Sequence, residues 1–537
     1  MNRFVALVVA VTLFGAPSVF GAFAAAQSPE ICAPTQRMGK YRFLRQLSLD
    51  LYGRPPTIEE YEALHSAGDI GEQKIDEMLA SSEFFDQLAR YHRGFLWTSL
   101  PRNESLFEQF LHMREFADNG DAVVWLNLRK NTEYRRAYVN CLDMEHTNFD
   151  ASGRALPMVE GYTEGECSET PDGCTMDGWV EISPYWAPET TIRVCAFDAQ
   201  EHTTGTNTDN DGVATDCSLR NYDPGCGCGP DLGYCAADDD GRGGGNTDEL
   251  REALTEEPAR IFEGVIKAGR PYMEAFATNE TYFNGVLRHY YRYLQRDDFG
   301  ELREISEAPY TADWELIERP EYHSGILTTM GYLLRHTSQR ARVNRLYTAF
   351  LCDPFVAPSG LPPATDPCSQ NPDLSERCGC ATCHTTIEPA TTFFGRWEEA
   401  DFKYRPELET YRDQCATCEA GDCPNSCNDY ITRDMETTPG SLDGELGKLK
   451  IIAWRTPQEA AGFDQGPSGL FEQPGMQDRL ASCAVQNFAE FVFNRELSTS
   501  EKGDWLQEKA SEFSADGYDF ISMAKTLLMD ERYRKVE

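Results

Sequence analysis

The reading of this chain turns on Cys378-Gly-Cys-Ala-Thr-Cys-His384, which sets a histidine directly behind a Cys-x-x-Cys pair in a stretch rich in proline and cysteine. Three chemistries use such a pattern: a disulfide, a zinc ligand set and a covalently attached haem. Haem attachment explains the spacing most fully. Two thiols add across the two vinyl groups of one porphyrin, and residues three apart on a helical turn face the same side. The next residue then offers its imidazole to the iron. Cys380 and Cys383 are the expected thioether positions of one haem c, and His384 is the expected proximal ligand. A zinc site needs four ligands, and no second histidine follows nearby. Cysteines are abundant here, so a disulfide stays open.

Outward from the motif, the compartment supports haem. Residues 1–26 read as a secretory leader, with Arg3 as the basic end and Phe4 to Val19 as the apolar run. Ala22-Phe-Ala24 or Ala24-Ala-Ala26 then offers a small-residue cleavage site. The short run argues against an uncleaved anchor, and no Leu-x-Gly-Cys lipoprotein pattern is present. No later apolar run reaches the ~20 residues a membrane helix needs, so the mature chain is expected to have no transmembrane segment. The expected location is the periplasm, the cell surface or the extracellular space. Nineteen cysteines fit that address, because disulfides persist outside the reducing cytosol. With two of them on haem, seventeen remain, an odd number that leaves one free or paired outside the chain.

The 537 residues carry 88 acidic and 49 basic side chains, a net charge of −39. Such a surface repels phosphate backbones, so no nucleic-acid partner is expected. A redox partner protein fits, a cationic one included, as do calcium or a neutral small molecule. A solvated acidic surface that keeps the protein soluble explains the charge equally well.

The rest of the chain reads as helical scaffold around two unusual segments. The N-terminal helical domain is expected at 27–140: Phe43, Leu44, Leu47 and Leu51 recur at helical spacing, and Gly53-Arg-Pro-Pro56 stops the run. Thr57-Ile-Glu-Glu60 then reads as a capping box. Ser82 is a third cap candidate, ahead of Phe84, Phe85, Leu88, Tyr91 and Phe95 along one face. Residues 141–246 form an acidic, disulfide-rich insert whose Gly, Asp, Thr and Asn bury little apolar surface. Helices return over 247–351, a c-type haem module over 352–440 follows the linker Cys352-Asp-Pro, and a C-terminal helical domain fills 441–537. In that last part Leu480, Phe488, Phe491 and Val492 form an apolar stripe, and Ser498-Thr-Ser-Glu501 is another capping box. The expected fold class is mainly α: a multi-domain helical protein with a cytochrome c-like haem module and an inserted Cys/Gly/Asp-rich irregular or β lobe.

Three residues are candidates for a sixth iron ligand: Met435 downstream of the motif, and His336 and Met330 upstream. Each also reads as an ordinary core or surface residue. Cys415-Ala-Thr-Cys418-Glu419 repeats the motif with Glu in place of His, so a disulfide within Cys415, Cys418, Cys423 and Cys427 is favoured over a second haem. Oxygen ligands alternate at Asn207, Asp209 and Asp211, Gly212 permits a sharp turn, and Asp216 would close the site. That pattern fits a calcium loop and a plain acidic loop equally. No Gly-x-Ser-x-Gly, His-Glu-x-x-His or P-loop occurs.

Several segments resemble the planctomycete-type c-type cytochrome domains of unknown function. Behind the motif come Thr385-Thr-Ile-Glu-Pro389, Phe393-Phe-Gly395-Arg-Trp397 and Asp401-Phe-Lys-Tyr-Arg405. The family has an Asp-Pro-x-Gly-Phe run there; in this chain Glu388 replaces the Asp and Ala390-Thr-Thr392 replaces the Gly stretch. Leu47-Ser-Leu-Asp-Leu-Tyr-Gly-Arg-Pro-Pro-Thr57 with Leu79-Ala-Ser-Ser-Glu-Phe84 resembles its N-terminal domain. Thr281 to Tyr290, Ser324 to Cys352, and Leu480-Ala-Ser-Cys483 with Asn494-Arg-Glu-Leu497 resemble later parts, though Asn494 stands where Gly is usual. The order of these loose motifs is the stronger sign, and it spans most of the chain outside the 141–246 insert. The resemblance implies an exported c-type cytochrome with helical domains and no settled substrate. The leading expectation is thus a monohaem protein of one-electron transfer. A haem-dependent oxidoreductase on a small molecule or carbohydrate comes second, and a non-redox, calcium-binding secreted scaffold or adhesion protein third.

Overall fold

The computed structural model describes residues 36–100, 112–118, 122–127, 138–156, 158–162, 174–201, 204–208, 214–216, 227–233, 235–238, 247–294, 312–360, 362–363, 365–370, 374–397, 399, 404 and 457–536. Met435, Asp209, Asp211, the leader over 1–26 and the Cys415 to Cys427 cluster lie outside them. The described chain is mainly α. No described helix is long and apolar enough to cross a membrane.

After a short strand β1 (Gln36–Arg37), four helices follow: α1 (Lys40–Tyr52), α2 (Ile58–Ala67), α3 (Glu72–Leu79) and α4 (Ser82–Leu96). Helix α1 buries Phe43, Leu44, Leu47 and Leu51 and ends where Gly53 turns left-handed at φ 68°. The capping box at α2 is present in both directions. The Glu60 N–H donates to the Thr57 hydroxyl at 3.3 Å, and the Thr57 N–H donates to the Glu60 carboxylate at 2.7 Å. Helix α4 is capped one residue earlier than expected, by Ser81, which accepts from the Phe84 N–H. It buries Phe84, Phe85, Leu88 and Tyr91, with His92 and Leu96 beside them.

The helical pattern expected up to residue 140 stops at Leu96. From His112 the described chain runs in strands: β2 (His112–Asp118), β3 (Ala122–Asn127), β4 (Tyr138–Glu145), β5 (Val159–Tyr162), β6 (Cys174–Ile182), β7 (Ile192–Cys195), β8 (Thr204–Thr208), β9 (Ala214–Asp216) and β10 (Ala236–Asp238). Ala122-Val-Val-Trp-Leu-Asn127 is β-branched and aromatic, a composition that suits a pleated surface better than a helix. Seven strands join one mixed sheet in the order β10-β2-β3-β7-β6-β4, with β5 on β6; β8 and β9 make a separate antiparallel pair. The insert is therefore β-rich, and its sheet recruits strands from before residue 141. Its small core holds Met113, Val194, Phe197 and Leu232, stapled by a Cys228–Cys235 disulfide.

Helices resume with α5 (Thr247–Lys267), the hairpin β11 (Glu280–Phe283) and β12 (Glu315–Glu318) flanking α6 (Gly285–Leu294), then α7 (Met330–Arg335), α8 (Gln339–Phe350) and α9 (Ala381–Thr391). The C-terminal part supplies α10 (Pro457–Gln465), α11 (Met476–Phe493), α12 (Leu506–Ala515), α13 (Phe520–Met529) and a last strand β13 (Lys535–Val536). Asn494 caps α11 in the left-handed conformation at φ 52°, which asparagine tolerates better than most side chains.

These helical segments, far apart in sequence, share one apolar core. Leu47, Leu88, Phe262, Phe276, Leu346 and Phe488 all lie in it, and Ile387 and Phe394 from the motif segment join them. Strand β13 pairs antiparallel with β1, and the Tyr533 hydroxyl donates to Asp50 at 2.8 Å, so the two ends of the described chain close on each other. A second cluster gathers Leu254, Phe283, Tyr291, Met330, Leu333 and Trp397.

Candidate functional site

Two disulfides position the motif. Cys352 pairs with Cys483 of α11 and hangs the Pro-rich segment on the helical core. Cys368 pairs with Cys378 and closes a short loop immediately before the motif. Gly379 then takes φ 79°, a left-handed turn that redirects the chain into α9. The Ala381 N–H donates to the Arg377 carbonyl at 2.9 Å and the His384 N–H to the Cys380 carbonyl at 3.0 Å. The motif is thus the first turn of a helix, and Cys380 and Cys383 project from the same side.

Neither thiol is in a disulfide, and both are half-buried. Cys383 packs against the edge of the main core, 3.8 Å from the Val356 carbonyl. His384 follows on the same turn. Its Nδ1 lies 2.6 Å from Oε1 of Glu388, one turn on. A carboxylate only accepts, so Nδ1 carries the proton and donates; in the neutral ring that leaves the lone pair on Nε2. The same Oε1 accepts from Nε of Arg340 on α8 at 2.8 Å. The side chains of His384, Glu388 and Arg340 are 20%, 13% and 23% exposed, so water screens this chain of contacts only in part.

These residues fit a covalently held haem. The thiols are unpaired where their neighbours pair, the helical turn sets them and the histidine on one side, and the hydrogen bond at Nδ1 leaves Nε2 as the ring's ligating atom. Among the described residues, no group of three or more His, Cys, Asp or Glu side chains is placed to hold a metal ion.

Of the candidate sixth ligands, the two described ones, Met330 and His336, are buried in the helical part. Met330 is fully buried in the second core cluster, where its N–H donates to the Tyr291 hydroxyl at 2.9 Å. His336 closes α7 as a buried residue against Tyr332, with Nε2 unpartnered. Burial and the nearby Arg345 and Arg335 push its ring down to about 3, so it is neutral. No hydrogen bond or ring contact among the described residues links either one to His384. Asn207 and Asp216 lie on β8 and β9, whose register pairs Thr204 with Asp216, while Asp209 and Asp211 fall outside the described residues, as does Met435.

Glu388 as the partner of His384 was not singled out from sequence, although the i, i+4 spacing on one helix carries that signal. Arg340 had no local signal at all. A buried cluster was also missed: Glu257, between Thr281 and Tyr291, accepts from their hydroxyls at 2.7 and 3.0 Å.

No protein-family model matches the chain. No curated protein and no solved structure is significantly similar to it.

Proposed function

We propose that this chain is an exported monohaem c-type cytochrome, of the planctomycete-type group its motifs resemble, that passes single electrons in the periplasm or at the cell surface. The observation that carries the reading is the contrast among neighbouring cysteines. Cys352, Cys368, Cys378 and Cys483 are paired, while Cys380 and Cys383 are kept apart as two thiols on the turn that ends in His384. A haem held there would supply the one-electron chemistry. The chain would fix its attachment side through Cys380 and Cys383, present Nε2 of His384 to the iron, and brace the segment with its two flanking disulfides. Ile387 and Phe394 tie α9 into the main core, which gives the attachment helix a rigid seat. The surplus of carboxylates over the whole chain suits a cationic redox partner, whose approach such a field would speed.

The test is a pyridine haemochrome spectrum and an in-gel haem stain of the chain made in a host with c-type maturation, beside Cys383→Ala. Covalent haem in the parent and its loss in the variant are expected. A folded parent with no haem would overturn the reading.

A further inference from the structure

We infer that Glu388 is a positioning residue for the proximal histidine, and that its carboxylate, shared with Arg340, sets the reduction potential of the haem. This rests on the cytochrome reading. The geometry is specific. One oxygen of Glu388 accepts from Nδ1 of His384 at 2.6 Å and from Nε of Arg340 at 2.8 Å. Histidine and glutamate lie one turn apart on α9, and the arginine reaches across from α8. Oxygen acceptors for a ligand's second ring nitrogen come in two strengths, a neutral carbonyl or a charged carboxylate, and the charged one makes the shorter and stronger bond. A carboxylate on Nδ1–H draws the proton toward itself and enriches Nε2. With haem held there, a more electron-rich Nε2 would favour the ferric over the ferrous state and so lower the potential.

Arg340 acts against this. By donating to the same oxygen it draws charge off the carboxylate and weakens its pull on Nδ1–H. The pair is therefore a balance: Glu388 lowers the potential and Arg340 limits how far. The two side chains would act on a bound haem through His384, so removing each should move the potential in opposite directions. Two merely structural side chains would instead loosen the same seat in the same sense.

The experiment uses the full chain, matured with haem, as parent, Glu388→Gln and Arg340→Gln. Haem content is read first by pyridine haemochrome, then the midpoint potential by spectroelectrochemical titration. Glu388→Gln should shift the one-electron equilibrium about tenfold toward the ferrous form, about 59 mV upward. Arg340→Gln should shift it the other way, by less. Should Glu388→Gln fail to mature, a fall in Arg340→Gln alone still supports the balance, and a rise or no change overturns it. One-electron equilibria within twofold of the parent in both variants, or potentials moving in one direction, overturn the inference while leaving the cytochrome reading intact. Loss of haem from both variants, with haem in the parent, marks the pair as structural and also overturns it. A parent without haem fails at the earlier step and takes the inference with it.

Discussion

Cys352 and Cys483, 131 residues apart in the chain, are joined by a disulfide that fastens the start of the Pro-rich segment to helix α11. The cross-link is anchored in the core at Cys483, 1% exposed, while Val356 and much of the segment behind Cys352 are exposed. Closing so long a loop removes much freedom from the unfolded chain, an upper bound of about 5 kcal/mol on the chain-entropy account. Cys352→Ser with Cys483→Ser should therefore lower the unfolding free energy by several kcal/mol, up to about 5, read as a lower denaturant midpoint at similar slope. With reductant added to both, which opens the other disulfides as well, parent and variant should unfold together. An unchanged midpoint would show that the segment is held by its other contacts.

Acid should unfold the protein through its buried histidines. His92, His323 and His336 are all buried, and burial, joined by arginine charges at His323 and His336, holds each ring below its ordinary 6.5. His92 is pushed down to about 3 in a slot where it stacks on Phe262 at 4.0 Å. The unfolded chain binds protons below 6.5 that the folded one refuses, so this stability is complete above 6.5 and is lost as pH falls from there toward 3. Urea midpoints from pH 7 to 4 should fall steeply. His92→Gln should reduce the slope by about one proton, about 1.4 kcal/mol per pH unit, while being less stable than the parent at pH 7.

Helix caps, apolar faces and the motif's own turn were legible because each is a local rule. Thr57 and Glu60 make the box their spacing predicts, Ser498 and Glu501 do the same at the other end, and Cys380, Cys383 and His384 share one turn. Periodicity tells which face of a helix is buried but not against what. It therefore gave no sign that Leu47, Phe262 and Phe488 pack together, or that Arg340 reaches Glu388 from another helix. The strands at 112–127 were missed for a different reason: the helical reading was carried past Pro101 and past Asn119-Gly120, a hairpin-turn signal between the two strands. Ser81 rather than Ser82 as the cap is a one-residue choice between adjacent serines that only the backbone geometry decides.

Glu257 tilts the pH profile the other way. It is fully buried, and burial pushes its carboxyl from the usual 4.5 up to about 7, with Arg319 and the Thr281 and Tyr291 hydroxyls opposing. The folded chain thus holds a proton that the unfolded chain releases near 4.5, so stability falls as pH rises from about 4.5 to 7. Glu257→Gln keeps a neutral acceptor for both hydroxyls without the titration. Its stability relative to the parent should rise across that window, by about 1.4 kcal/mol for each unit of the difference, and level off above 7. A difference independent of pH would place the proton elsewhere.

Two glycines should answer alanine in opposite senses. Gly94 is exposed on α4 with nothing near the position of an added methyl group, so Gly94→Ala should stabilise by up to about 1 kcal/mol through helix propensity. Gly331 lies on α7 where that helix crosses α5, and a methyl group there would sit 2.0 Å from the Leu254 carbonyl oxygen. The sequence explains why that carbonyl is available. Pro258, four residues on within α5, has no N–H to donate back to it. The opening left by Pro258 is thus filled by the bare α-carbon of Gly331, and neither backbone has a flexible side chain to yield. Gly331→Ala should destabilise by about 3 kcal/mol or more, at the upper end for overpacking, because the two helices must separate. Thermal melts of the two single variants decide it. A Gly331→Ala protein as stable as the parent would mean that α5 and α7 do not meet as closely as this.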